Sequence, residues 1–147
     1  MPRLDASIDI KAPSEKVFAY IADVASQPQW CKWAKEAEVT SIGQHGVGTT
    51  DEMLMQVGAR KERVEGIVTE YREGELFSRR HTRGMEMSES YALEPDGDVT
   101  KLAWTIEYTP PSGAFGRLMN LIFVERLFEQ LQGDSLNNLK ERLESAK

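Results

Sequence analysis

Glu89 is the residue in this sequence whose setting most invites chemistry. It shares parity with Met85, Met87, Tyr91 and Leu93, so a regular strand aims its carboxylate into the same layer as those large side chains. A carboxylate buried without a partner is costly and tends towards its neutral form around pH 7. Such a group serves as a general acid or base, or as an anchor for a ligand hydroxyl. Two other outcomes fit the same pattern: a bulge that turns Glu89 to solvent, and an ion pair with an arginine of a neighbouring strand.

The arginines nearest in sequence lie in the run Arg79-Arg80-His81-Thr82-Arg83, the main local exception to an acidic chain. On a strand Arg80 points opposite to Arg79 and His81, so one set can reach the cavity mouth; the whole run equally fits a solvated edge of the sheet. Guanidinium suits bidentate binding of a carboxylate or phosphate. Imidazole titrates close to neutrality, and with Tyr91 and Arg80 His81 is a candidate assistant to Glu89.

Around Glu89 the sequence supplies a soft, aromatic lining. Met53, Met55 and Val57 share one strand face; Trp104, Ile106 and Tyr108 share another; Met119, Ile122, Phe123 and Leu127 belong to a late helix. Methionine adapts its shape, and Tyr and Trp join an apolar body to one polar tip. That composition fits a pocket for an apolar molecule, and it equally fits a plain core. The ligand-binding candidates are Trp30, Met53, Met55, Met85, Met87, Glu89, Tyr91, Trp104, Tyr108, Met119 and Phe123. Glu89 is also the single candidate for a catalytic residue.

Other motifs carry no chemistry. Gly133-Asp134-Ser135-Leu136 spells an esterase nucleophile block, but it falls in a late helix with both His45 and His81 upstream. Gly43, Gly46 and Gly48 lack the Lys-Ser/Thr and the strand-to-helix context of a phosphate loop and read as a hairpin. Two separated histidines and one cysteine give no zinc or iron spacing. No metal or other cofactor is expected.

The 147 residues suit one domain spanning 1–147, large enough for a substantial core. A formal charge of −6 argues against nucleic acid and against adsorption to an anionic membrane. Cys31 is the only cysteine, so no internal disulfide forms. The first residues lack the apolar core of a signal peptide, and no apolar stretch is long enough to span a bilayer. A cytoplasmic location is expected.

These residues need elements to place them. Leu4, Ala6, Ile8 and Ile10 alternate with Asp5, Ser7, Asp9 and Lys11, which predicts a half-buried strand over 3–11. Pro13 and Ser14 then open a helix carrying Val17, Phe18 and Ile21, and a short helical segment holds Pro28, Trp30 and Trp33. From about 36 to 109 the chain reads as strands parted by turns, with Asp96-Gly97 the strongest hairpin signal. Strand register over 58–83 is ambiguous. A long helix follows Gly116 and closes on Leu136, Leu139 and Leu143, with Gly133 its weak point. Its first half is apolar almost all round, which suits a gate, a homodimer contact or plain packing. The fold class is α+β: an antiparallel sheet of six to seven strands curved around a C-terminal helix.

That order of elements resembles the helix-grip fold. Ile10-Lys11-Ala12-Pro13-Ser14-Glu15-Lys16-Val17-Phe18, then Ile21-Ala22-Asp23 and Pro28-Gln29-Trp30, resemble the opening of START-like (SRPBCC) proteins. The likeness is greatest to the polyketide cyclase/dehydrase and lipid-transport branch. Val68-Thr69-Glu70-Tyr71, Trp104-Thr105 and Leu139-Lys140-Glu141-Arg142-Leu143-Glu144 continue it over essentially the whole chain. The resemblance implies a cavity between sheet and helix for a small hydrophobic molecule such as a lipid, polyketide or aromatic compound. It leaves three functions open: storage, transport or sensing of that molecule; cyclase/dehydratase catalysis; and protein interaction or assembly.

Overall fold

The computed structural model describes residues 2–109 and 121–145. Strand β1 (Arg3–Ile10) leads into helix α1 (Ser14–Ala22) and a 3-10 helix (Val24–Gln29). Six strands follow: β2 (Ala34–Val39), β3 (Thr50–Val57), β4 (Arg60–Arg72), β5 (Leu76–Arg83), β6 (Met87–Asp96) and β7 (Val99–Tyr108). Helix α2 (Leu121–Ser145) comes last. Pro13, extended at φ −67 and ψ 151, starts α1, and its carbonyl accepts from the amides of Lys16 and Val17.

The strands form one curled, wholly antiparallel sheet in the order β1-β7-β6-β5-β4-β3-β2. Sequence neighbours pair from β2 to β7 because short turns permit only antiparallel partners. Gly97 turns the β6–β7 hairpin at φ +64, the left-handed geometry for which Asp-Gly is selected. β1, the first strand, closes on β7, the last, with Ala6 opposite Trp104.

Alternation is strict where the site lies. Met87, Glu89, Tyr91 and Leu93 of β6 and Leu102, Trp104, Ile106 and Tyr108 of β7 are all buried, with more exposed residues between them. The ambiguous segment contains two register shifts between β4 and β5, at Glu65/Gly66 and Val68/Glu70. The first leaves Thr82 of β5 without a ladder partner and the second Thr69 of β4, so parity breaks once on each strand.

α2 lies against the inner face along one stripe: Val124, Phe128, Gln132, Ser135, Leu136, Leu139 and Leu143 are buried. Gln132 Nε2 donates to the Trp104 carbonyl at 3.0 Å, and the Lys11 amide donates to Glu144 at 2.9 Å. The helix continues through Gly133, the weak point of the sequence reading, without interruption. Its described length is about 37 Å at ~1.5 Å per residue. Ile122 and Phe123 are each 62% exposed, so the apolar start of α2 does not all pack inward. This is the expected helix-grip arrangement.

Candidate functional site

The inner face of the sheet holds a charged cluster that the regular pleat assembles from four strands. Asp51 comes from β3, Arg79 from β5, Glu89 and Tyr91 from β6, and Trp104 from β7. Register sets Arg79 opposite Glu89 and Tyr91 opposite Trp104. The side chains of Asp51, Arg79 and Glu89 are 0%, 1% and 2% exposed. Taking such charges out of water is tolerable only if nearly every donor and acceptor is matched.

The matching is dense. Arg79 grips Asp51 with two nitrogens, Nε to Oδ2 at 3.1 Å and Nη2 to Oδ1 at 2.5 Å. Its Nη1 donates to Glu89 Oε2 at 3.0 Å. The other oxygen of Glu89 accepts the Tyr91 hydroxyl at 2.5 Å and the Trp104 indole N–H at 3.2 Å. Three donors on one carboxylate are the environment of a strong acceptor. Burial opposes the charge on Arg79, but Glu89 and Asp51 prevail and hold its pKa above the usual arginine value. The Tyr91 phenol is raised well above its ordinary value by burial and by the Glu89 charge.

Gly66 makes the cluster possible. A Cβ there would stand 2.4 Å from Arg79 Nη2 and 3.0 Å from Asp51 Oδ1. The guanidinium occupies the space that any other residue would fill. Thus Glu89 faces inward but is not without a partner: of the outcomes open to it, the ion pair with an arginine of the neighbouring strand is the one met.

The partner is Arg79, which corrects the choice of Arg80 as assistant. Arg80 is exposed because it falls on the opposite face of β5. His81 shares the inner parity of Arg79 and is buried. Its Nδ1 lies 2.7 Å from the Met85 carbonyl, which can only accept, so Nδ1 carries the proton. Burial, and then the charge of Arg79, lower the His81 pKa. Asp51 and Gly66 were missed. Asp51 shares parity with Met53 and Met55, the same signal that singled out Glu89.

Aromatic rings enclose the cluster. Tyr91 stacks on Trp104 at 5.0 Å between centroids, and Trp104 meets Trp30 at 5.6 Å and Trp33 at 5.3 Å. Phe128 of α2 touches Trp33 at 5.3 Å and Tyr108 at 4.8 Å, so it ties helix to sheet. Met53, Met55 and Met87 are buried in the same core. Met85 lies in the β5–β6 turn rather than on the strand and is only half-buried. Phe123 stands outward on α2, away from the layer that the sequence reading assigned it. Met119 lies outside the described residues.

Cys31 is buried beside the cluster, and burial with the Glu89 charge pushes its thiol up to about 12. A surface depression of about 270 Å³ formed by Glu36, Ala37, Glu38, Glu52 and Arg63 is lined mostly by charges and shares no residue with the inner cluster. Among the described residues, no group of three His, Cys, Asp or Glu side chains forms a candidate metal site. No helix among them is long and apolar enough to cross a membrane.

Residues 1–144 match the model of a family described as polyketide cyclase / dehydrase and lipid transport. The chain belongs to that family. No curated protein matches the sequence. Among solved structures, a Thermus thermophilus protein is 21% identical, with a TM-score of 0.84 and 99% of each chain covered. A START superfamily protein from Mycobacterium smegmatis is 14% identical, with a TM-score of 0.79 and 99% of each chain covered. The ZhuI aromatase/cyclase from Streptomyces sp. R1128 is 13% identical at a TM-score of 0.80, covering 97% of this chain and 93% of its own. At these identities the polyketide cyclase/dehydrase and lipid-transport family shares its fold with these proteins, and the chemistry rests on each member's own residues.

Proposed function

We propose that this chain binds a small hydrophobic molecule, a lipid, polyketide or aromatic compound, between the inner face of the sheet and α2. Storage, transport or sensing of that molecule is the role favoured. The observation that carries the reading is the Glu89 carboxylate, held by Arg79, Tyr91 and Trp104 inside an otherwise aromatic and methionine-rich layer. Well-packed apolar residues of similar volume serve stability as well as a buried ion pair or better, so folding alone gives little reason to keep it. A ligand with an apolar body and a polar end gives one.

The apolar body lies along Met53, Met55, Met87 and Tyr108, whose side chains can adapt. Phe128 closes that region against Tyr108 and Trp33, so admission of a ligand displaces its ring. Native mass spectrometry of the purified protein should reveal a bound apolar molecule, and fluorescent fatty acids or neutral naphthalene dyes should bind. Phe128→Ala should bind them more tightly. The reading fails if neither wild type nor Phe128→Ala binds any apolar probe.

The buried hydrogen bond from Tyr91 to Glu89 favours a second reading, a cyclase/dehydratase in which Glu89 moves the proton and the confined substrate does the rest. A co-purified ligand recovered chemically changed after incubation would support it. Unchanged turnover in Glu89→Gln would remove Glu89 from that role. A role in assembly, including a homodimer, falls to Ile122 and Phe123 and not to Phe128, which is 1% exposed. Loss of a dimer on Phe123→Glu would support it.

A further inference from the structure

Two buried donors lie unused beside the Glu89 cluster. The indole Nε1 of Trp30 and the amide Nε2 of Gln27 have no hydrogen-bond partner among the described residues, and both residues are 1% exposed. Gln27 stands near the end of the 3-10 helix, and the Trp30 amide donates to its carbonyl at 3.1 Å. Trp30 is the C-cap of that helix, at φ −135 and ψ −30, so the two donors belong to one hydrogen-bonded turn. The Trp30 side chain points to the inner layer: its ring lies 5.6 Å from Trp104 and 6.3 Å from Tyr91, the two neutral donors to Glu89.

A buried N–H without an acceptor loses its water and gains nothing in return, so native cores rarely leave one, and here two share a turn. The turn is also held in place from behind. Asn138 Nδ2 donates to the Trp30 carbonyl at 3.3 Å, and the Lys32 amide donates to Ser135 Oγ at 2.8 Å. The donors are therefore presented by a segment fixed to α2.

We propose that Trp30 Nε1 and Gln27 Nε2 form a recognition pair for an uncharged hydrogen-bond acceptor on the ligand, a ketone, ester or amide carbonyl, and that the site discriminates against carboxylates. This rests on the binding reading above and adds the ligand's polar chemistry to it. An indole N–H only donates, so its counterpart must accept. The sign of the local field supplies the discrimination. Two carboxylates, Asp51 and Glu89, face one guanidinium in the cluster, and the thiol of Cys31, next to Trp30 in the chain, feels the Glu89 charge. An anionic headgroup would meet that field with no second cation among the cluster's described members to offset it, whereas a neutral carbonyl needs only the two N–H groups.

Three probes that share one ring system test this: Prodan, a neutral dimethylaminonaphthalene ketone; dimethylaminonaphthalene without the acyl group; and the corresponding dimethylaminonaphthoate. At about pH 8 the naphthoate is fully ionised. Prodan should bind about ten-fold more tightly than the ring without a carbonyl, and the naphthoate should bind most weakly. Trp30→Phe and Gln27→Met should each shrink the ratio of Prodan affinity to unsubstituted-ring affinity towards one. On the wild-type protein, which removes any question of variant folding, Prodan but not the unsubstituted ring should shift the Trp30 indole N–H resonance downfield. Equal binding of all three probes, or an unmoved Trp30 resonance in the Prodan complex, overturns the recognition pair and leaves the binding reading standing. Failure of all three to bind either wild type or Phe128→Ala overturns the binding reading, and the pair with it.

Discussion

Tyr91 donates its hydroxyl to Glu89 Oε1 at 2.5 Å from two residues further along the same strand. Side chains two apart share a face of a strand, so the pleat alone brings them together; burial then makes the bond matter. Tyr91→Phe keeps the ring against Trp104 and deletes only this donor. It should cost about 1–3 kcal/mol, read as a lower urea midpoint at unchanged m-value. An unaltered midpoint would mean that the hydroxyl contributes nothing to holding the carboxylate.

Among the described residues, Arg79 is the only cation in the cluster's direct hydrogen-bonding set. Arg79→Met retains most of the volume and leaves Asp51 and Glu89 buried without it. Removing one member of such a buried set costs about 3–5 kcal/mol, which should show as a large drop in thermal and urea stability. A loss under about 1 kcal/mol would place the pair in the class of solvated surface bridges.

Gly66→Ala adds one methyl where the guanidinium sits. In most strands alanine is better than glycine, since glycine weakens a strand interior. Here the sign should reverse, because Arg79 cannot move aside without leaving Asp51. The test is a double-mutant cycle: Gly66→Ala should destabilise wild type and be neutral or stabilising in Arg79→Met. Equal effects in both backgrounds would show that the glycine serves the backbone and not the arginine.

His81 gives the fold a pH dependence whose sign follows from its environment. Its folded pKa lies below the ordinary 6.5, so between the two values the unfolded chain holds more proton. Stability therefore rises with pH through that window; on acidification its contribution begins to fall near 6.5 and goes on falling down to the folded pKa. His81→Gln, which can still donate to the Met85 carbonyl, should flatten the stability profile below that point. An identical profile in the variant would assign the acid sensitivity to other groups.

Cys31 should be inert. Its thiol is buried and pushed to about 12, so almost no thiolate exists at neutral pH. Aromatic disulfide reagents should label it only as fast as the protein unfolds, with rates rising in step with urea. Rapid labelling of the native protein would show that the Trp30 turn opens readily.

Much of the fold was readable because it is written in local periodicity. Strict alternation over 87–93 and 102–108 predicted the inner faces of β6 and β7, and Asp96-Gly97 predicted the hairpin that joins them. The same alternation placed Glu89 inward. It failed where the pleat itself fails: the two register shifts between β4 and β5 hide the parity of 58–83, and Met85 sits in a turn that the strand pattern did not reveal. Helical spacing likewise could not tell that Phe128 faces the sheet while Phe123 faces out, because both lie in one apolar run.

What the chain's order of residues determined was therefore which side chains share a face, since that depends on neighbours two or four positions apart. Which faces meet, and in what register, needed the tertiary structure. Asp51, Gly66, Arg79 and Glu89 come from four strands, and only pairing across the sheet sets a guanidinium between two carboxylates over a glycine. The unused donors of Gln27 and Trp30 also became visible only then, because an unmet hydrogen bond is a property of everything around an atom and of no stretch of sequence.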